Sequence, residues 1–311
     1  MTSVASLPQG LESNDAELAA LVSAWLGGSR IPLPEGFRLV LEVTEEIPSI
    51  EDPRTAYSQS SVDIRAGAPL GWVHLQWRSL PAMARVEEDR PVAKVFLSRA
   101  AIADPELLFQ TFLLLVLIFL WRRAGRFHLH AGTAVDPNGR GWLLAGPSES
   151  GKSTTIALLA ARGWRVGTDD IAFLTGANGR AAVLGFHSPI ALRPGGHQLL
   201  ASHVGDGIAL RRRNKTGFFA EDLRGGWLPS VEPDVVLFTE LGSERTRLEP
   251  LPPAAIMRSL LQWSPWVLFE PTASQEHLDL LSRLGRQARC YRAQLAPDLF
   301  EAPRALLDFL P

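Results

Sequence analysis

Cysteine is nearly missing from this chain: a single one, Cys290, stands among 311 residues. Internal disulfides and a cysteine-based zinc site are thereby excluded, and a reducing compartment fits. Cys290 itself reads as a small core hydrophobe. A surplus of charge of one sign is also lacking, since 31 Lys and Arg face 33 Asp and Glu for a formal net charge of −2. A general nucleic-acid binder or a polybasic membrane protein needs a surplus, so no nucleic-acid partner is expected and any anionic ligand must be held locally. The opening residues, Met-Thr-Ser-Val-Ala-Ser-Leu-Pro-Gln-Gly, have neither the basic nor the apolar part of a secretion signal, which predicts a cytoplasmic protein. No apolar run reaches the roughly 20 residues of a membrane span. The longest, Phe112 to Trp121, has ten, and the stretch Leu107 to Trp121 predicts a fully buried core helix rather than a membrane span. Internal repeats and low-complexity linkers are absent as well.

What is there is an ordinary globular composition, 46% apolar and 21% charged, in a chain long enough for two domains or one large one. Residues 13 to 27 open with cap-type residues and place Leu18, Leu21, Val22 and Trp25 at helical spacing, with Gly27 as a stop. The period then changes to alternation in Arg38-Leu-Val-Leu-Glu-Val-Thr, Ser61-Val-Asp-Ile-Arg, Gly71-Trp-Val-His-Leu-Gln-Trp, Ala84-Arg-Val-Glu-Glu and Val92-Ala-Lys-Val-Phe-Leu. That pattern predicts an antiparallel sheet with one wet face. No motif that carries chemistry occurs in the first hundred residues. Arg126 to Val135 predicts a strand that pairs as a hairpin with the strand after the turn Asp136-Pro-Asn-Gly139. Further on, Trp164 to Leu174, Ala181 to Gly185 and Pro189 to Leu192 predict strands of one extended sheet, and Val235 to Thr239 a buried strand. Helical patterns follow at Ala254 to Trp263, Ser274 to Leu284 and Pro303 to Phe309.

The most informative stretch is Gly141-Trp-Leu-Leu-Ala-Gly-Pro-Ser-Glu-Ser-Gly-Lys-Ser-Thr154. A short apolar strand runs into a glycine-rich loop and then into a helix, and the G-x-x-x-x-G-K-[ST] pattern of a phosphate-binding loop is met in full. Backbone N–H groups from Gly146 to Gly151, through Ser148, Glu149 and Ser150 and with Pro147 supplying none, can turn inward as an anion cradle, which the helix N-terminus reinforces. Lys152 is then placed to reach the β- and γ-phosphates of a nucleotide, the Ser153 hydroxyl to ligate Mg²⁺, and Thr154 to complete the cofactor-binding set.

Phosphoryl transfer also needs a group that binds the metal and one that takes or aligns the acceptor proton. Asp169 and Asp170 lie 17 and 18 positions after Lys152, near the end of the strand that follows the loop's helix. Adjacent strand residues point to opposite faces, so local distortion or different roles must hold if both serve one site. His128 and His130 share a strand face. His130 is the better acid/base or metal-adjacent candidate, against the alternative of an ordinary hydrogen-bonded histidine. The run Arg211-Arg-Arg-Asn-Lys215 either supplies a cation to the transferring phosphoryl group or is a solvated loop. The nine tryptophans read as core or lining residues.

His130-Ala-Gly, Gly146 to Thr154 and Thr168-Asp-Asp170, in that order and at close spacing, resemble the HPr serine kinase/phosphorylase family, in particular its shorter relatives encoded in bacterial gene clusters for modified peptides. The resemblance implies an α/β fold with a P-loop kinase core of the HPr kinase/PEP carboxykinase-like type over residues 106–311; the alternating segments before it predict a β-rich α+β domain over 1–105, expected to help present the substrate. The first hundred residues do not resemble the N-terminal domain of the authentic HPr kinases. By the same resemblance Lys152 and Ser153 hold phosphate and Mg²⁺, Asp169 is the base for the attacking hydroxyl, and Asp170 and His130 lie around metal and phosphoryl group. The expected activity is ATP- and Mg²⁺-dependent phosphorylation of a serine, less readily threonine, of a peptide or small protein, with homo-oligomers allowed. Two other readings stay open: a nucleotide-binding regulatory subunit without transfer, and a kinase for a small-molecule hydroxyl such as free serine.

Overall fold

The computed structural model describes residues 8–49, 57–59, 61–65, 72–210, 214–242, 244–301 and 306. It is a mixed α/β structure in two compact units. Met1–Arg126 with Leu268–Ser274 forms the first, and Phe127–Val267 with Gln275–Pro311 the second. The first unit therefore runs past the expected boundary at 105, because the apolar helix belongs to it.

The first unit is built on a seven-stranded sheet of β1 (Leu11–Ser13), β2 (Arg38–Val43), β3 (Tyr57–Gln59), β4 (Val62–Arg65), β5 (Trp72–Trp77), β6 (Ala82–Glu87) and β7 (Val92–Leu97), in the order β1-β2-β7-β6-β5-β4-β3. It is mixed, not antiparallel as expected: β1 pairs β2 and β2 pairs β7 in parallel. Parallel neighbours need a long crossover, and the Ala16–Ser29 helix supplies one between β1 and β2. That helix runs through Gly27 instead of stopping there, and Arg30 makes the left-handed turn at φ 55°. Alternation puts Val73, Leu75, Trp77, Ala82, Ala84 and Val86 on one face with almost no exposure. The long apolar helix, Pro105–Arg122, packs in this unit: Phe112 stacks on Trp77 at 5.5 Å and Phe109 on Trp25 at 4.8 Å. Its 18 residues are apolar enough to cross a membrane by length and composition, and 61% of them are buried. At its end Arg122 and Arg123 meet Glu270 at 3.0 and 2.5 Å, all three side chains nearly solvent-free.

The second unit carries a nine-stranded sheet of β8 (Phe127–Val135), β9 (Gly141–Ala145), β10 (Arg165–Thr168), β11 (Ile171–Ala177), β12 (Arg180–Gly185), β16 (Ser230–Val231), β17 (Pro233–Leu241), β18 (Arg247–Pro250) and β19 (Arg289–Leu295). Strands β8 and β9 form the expected hairpin, Ala131 opposite Ala145. Asp136 fixes its turn by accepting from the Asn138 and Arg140 N–H groups at 2.8 and 2.9 Å. Strand β9 is parallel to β17, and β17 to β19; β9 is apolar and buried on both faces, as parallel strands are. The Lys152–Ala161 helix lays Ile156, Leu158 and Leu159 into a core shared with Trp142, Trp164 and Leu237. Strand β13 (Ile190–Leu192) does not extend the main sheet as expected; with β14 (Ile208–Leu210) and β15 (Lys215–Phe218) it forms a separate three-stranded sheet, order β13-β15-β14. The C-terminal helical patterns are present as Pro253–Gln262 and Pro271–Gln287. The expected helix 303–309 lies outside the described residues, apart from Leu306.

Candidate functional site

The six residues between β9 and the Lys152–Ala161 helix are held from behind. A Cβ on Gly146 would lie 2.5 Å from both the carbonyl oxygen and Oγ1 of Thr239 on β17, so only glycine fits. Ser150 Oγ and Thr239 Oγ1 are 2.7 Å apart, which ties the loop to the same strand. Glu149 and Gly151 adopt left-handed conformations, φ 69° and 87°. Gly151 caps the helix without a side-chain acceptor, so the first N–H groups of the helix are not taken by a cap side chain. Lys152 is 6% exposed, and its Nζ donates to the Gly146 and Pro147 carbonyls at 2.7 and 2.8 Å. Burial lowers its pKa, opposed by the nearby Asp170 and Asp169.

Asp169 and Asp170 occupy the turn between β10 and β11 and not a continuous strand, and β10 pairs with β8 through an irregular register. The break lets two adjacent carboxylates line one cavity, which a regular strand would forbid. Asp169 is 3% exposed; its Oδ2 accepts the Ala191 N–H at 3.1 Å. Its Oδ1 makes no hydrogen bond of normal geometry, although the Ser153 hydroxyl is near enough to favour the carboxylate. Burial, then the charge of Asp170, pushes the Asp169 pKa from 3.8 to about 6. Asp170 Oδ1 is 2.8 Å from His130 Nδ1, each side chain about one-third exposed. His130 is in register with Ile171 on β11. His128, the other candidate, does not line the cavity. Its ring packs edge-on against Phe173, and burial pushes its pKa down to about 4.

These groups open on a cavity of about 530 Å³ within the second unit. Of the residues singled out in the sequence, Ser148, Glu149, Gly151, Lys152, Ser153, Thr154, Asp169, Asp170 and His130 line it. Gly146, Pro147 and Ser150 do not line it: Gly146 and Ser150 are buried, Ser150 being 3% exposed, and Pro147 is exposed. From the basic run Lys215 lines it, while Arg211, Arg212 and Arg213 lie outside the described residues. Among the described residues no three His, Cys, Asp or Glu side chains are grouped to hold a metal by themselves, so an ion bound by Ser153 and Asp170 would need a ligand to complete its shell.

The sequence did not point to Arg193, Leu241 or the segment Leu295–Phe300, all of which reach the cavity. Arg193 spans to Glu149 of the loop at 2.8 Å, both side chains more than half exposed. A signal for the cations was present in the composition: the chain has three lysines, at 94, 152 and 215, and two of them meet here. The cavity thus joins Lys152, Lys215, Arg193 and an open helix N-terminus, which attract anions, to a buried carboxylate able to take a proton near neutrality.

No protein family and no curated protein matches this chain. Among solved structures it is similar to the Hpr(Ser) kinase/phosphatase from Coxiella burnetii, at 18% identity over 40% of this chain and 72% of that one, with a TM-score of 0.25. So loose a likeness carries no argument for the site, which rests on its own geometry.

Proposed function

We propose that the second unit is a P-loop phosphotransferase of the HPr-kinase type, which transfers the γ-phosphoryl group of ATP to a serine or threonine hydroxyl of a peptide or small protein. The observation that carries this reading is the meeting, in one cavity, of buried Lys152 at a helix N-terminus with buried Asp169, whose pKa is raised to about 6. Loop N–H groups hold the β- and γ-phosphates, and Lys152 exchanges the Gly146 and Pro147 carbonyls for phosphate oxygens. Ser153 and Asp170 hold Mg²⁺, which when bound neutralises charge between the terminal phosphates. His130 fixes the orientation of Asp170 through their 2.8 Å contact. The acceptor oxygen attacks the γ-phosphorus in line, its proton passes to Asp169, and the bond to the departing ADP oxygen breaks. Arg193 and Lys215 add positive charge around the transferred group.

The test is transfer from γ-labelled ATP with Mg²⁺ to candidate peptides, HPr and free serine, comparing wild type with Lys152→Ala. Label on a polypeptide hydroxyl with wild type alone is the expected result. Label on free serine replaces the acceptor class, and nucleotide binding without transfer to any acceptor replaces the kinase by a nucleotide-dependent regulator.

A further inference from the structure

The cavity has two chemically distinct ends. To one side of the loop that follows β9 lie β8 and β11 with His130 and Asp170, and to the other β17 and β19 end in Leu241 and Leu295, followed by Pro297, Leu299 and Phe300, whose side chains offer carbon alone. Leu241 and Leu295 lie directly against the glycine loop: a Cβ on Gly151 would be 3.4 Å from each. Leu241 is 67% exposed and Leu199, also at the cavity, 56%. Large apolar side chains held open to solvent beside a charged pocket mark a surface that something covers.

Among the described residues, several backbone N–H groups at this end are already used. The Gly242 N–H donates to the Leu295 carbonyl at 2.7 Å, and the Ala296 N–H to Thr246 Oγ1 at 3.1 Å. Thr246 spends its own hydroxyl on Asp298 at 2.7 Å. The N–H groups of Leu299 and Phe300 close turns onto Ala296 and Pro297 at 3.2 and 3.0 Å, and Pro297 has no N–H. A flat ring can therefore stack here, yet its edge meets no side-chain donor or acceptor among the described residues at this end.

We propose that this apolar wall takes the base of a nucleoside triphosphate and reads it by stacking alone, so that purine and pyrimidine nucleotides are accepted with little discrimination. The inference rests on the loop binding a triphosphate. A chain that enters at the loop must carry its base away from the acidic end, and the wall beside Gly151 is the surface in reach. Every base has a π-face, so stacking tolerates base identity. Strong discrimination comes from hydrogen-bonding groups built to be left unpaired by the wrong ligand, and the described residues of this wall build none.

The experiment is titration calorimetry with Mg²⁺ and ATP, GTP, CTP, UTP or inorganic tripolyphosphate, on wild type, Leu241→Ser, Phe300→Ala and Lys152→Ala. Affinities for the four nucleotides are expected within about tenfold of one another. Leu241→Ser and Phe300→Ala should weaken all four together by about tenfold and leave tripolyphosphate unchanged. Phe300 also packs on the core, whereas Leu241 is exposed, so the Leu241 variant keeps the test valid if the other unfolds. One nucleotide favoured by more than about 100-fold, or a Leu241→Ser chain that binds nucleotides like wild type, overturns the inference. Absence of tripolyphosphate binding, or binding indifferent to Lys152→Ala, overturns the phosphate reading beneath it.

Discussion

At the scale of single residues, the role proposed for Asp169 is set against stability. Its carboxyl titrates near 6 in the fold and at 3.8 in the unfolded chain. Between those values the folded chain keeps a proton that the unfolded chain has released, so this group's stabilisation is present below 3.8 and lost as pH rises through about 6. At neutral pH the ionised form is a burden, and Asp169→Asn should stabilise the protein by on the order of 1–2 kcal/mol in denaturant titrations at pH 7.5. The same variant should lower kcat by about 10²–10⁴-fold if Asp169 is the base; full transfer rate in Asp169→Asn removes that role. His128 works in the opposite sense. Its pKa falls from 6.5 to about 4 on folding, so the unfolded chain binds the extra proton and stability drains as pH falls through that window. His128→Phe should therefore gain on wild type more at pH 5 than at pH 7.5 in parallel urea titrations, and an equal gap at both pH values would show that the ring is not held neutral by its surroundings.

At the scale of elements, the glycine loop is legible in sequence because its spacing and its chemistry are both local: two glycines, a lysine and a hydroxyl serve a single strand–loop–helix turn. Its support is not local. Gly146 is required by Thr239, 93 positions away on β17, a contact that no pattern around the loop announces. Gly146→Ala should lower stability by about 1–3 kcal/mol through overpacking and release phosphate binding at the same time; a variant with wild-type melting and tripolyphosphate affinity would show that β17 yields to it. The acidic pair illustrates the converse. The sequence placed Asp169 and Asp170 near the end of a strand, and the chain in fact turns at them between β10 and β11, because two charges side by side fit a turn that faces a cavity better than a sheet interior. Arg193, Leu241 and Phe300 stayed invisible since they come from a connection after β13, the end of β17 and the short Asp298–Glu301 helix, brought in by topology rather than spacing.

At the scale of the whole chain, alternation announced a β-rich first part and the loop motif with its family resemblance an α/β second part, but the end of the first was hidden in one long-range ion pair. The apolar helix looked like the first element of the second unit because it follows the last β-alternation. Its final turn instead carries Arg122 and Arg123 into contact with Glu270, from a short segment that returns to the first unit after some 140 residues spent in the second. Arg123 Nε also donates to the Glu87 carbonyl at 2.6 Å, and the two buried guanidinium groups share the Glu270 carboxylate. Removing one partner from such a cluster leaves charge uncompensated in a dry interior and costs about 3–5 kcal/mol. Glu270→Gln should therefore lower the stability read from urea titrations by that much, far more than loss of the exposed Arg38–Glu12 pair. For the same reason a fragment ending at Arg126, which retains all seven strands and both arginines but lacks Glu270, should melt well below the first transition of the full chain. The double replacement Arg122→Met with Arg123→Met, which removes the two buried charges that Glu270 meets and keeps most of the side-chain volume, should recover much of the lost stability in that fragment. A fragment as stable as its counterpart in the intact protein would show that the returning segment is dispensable.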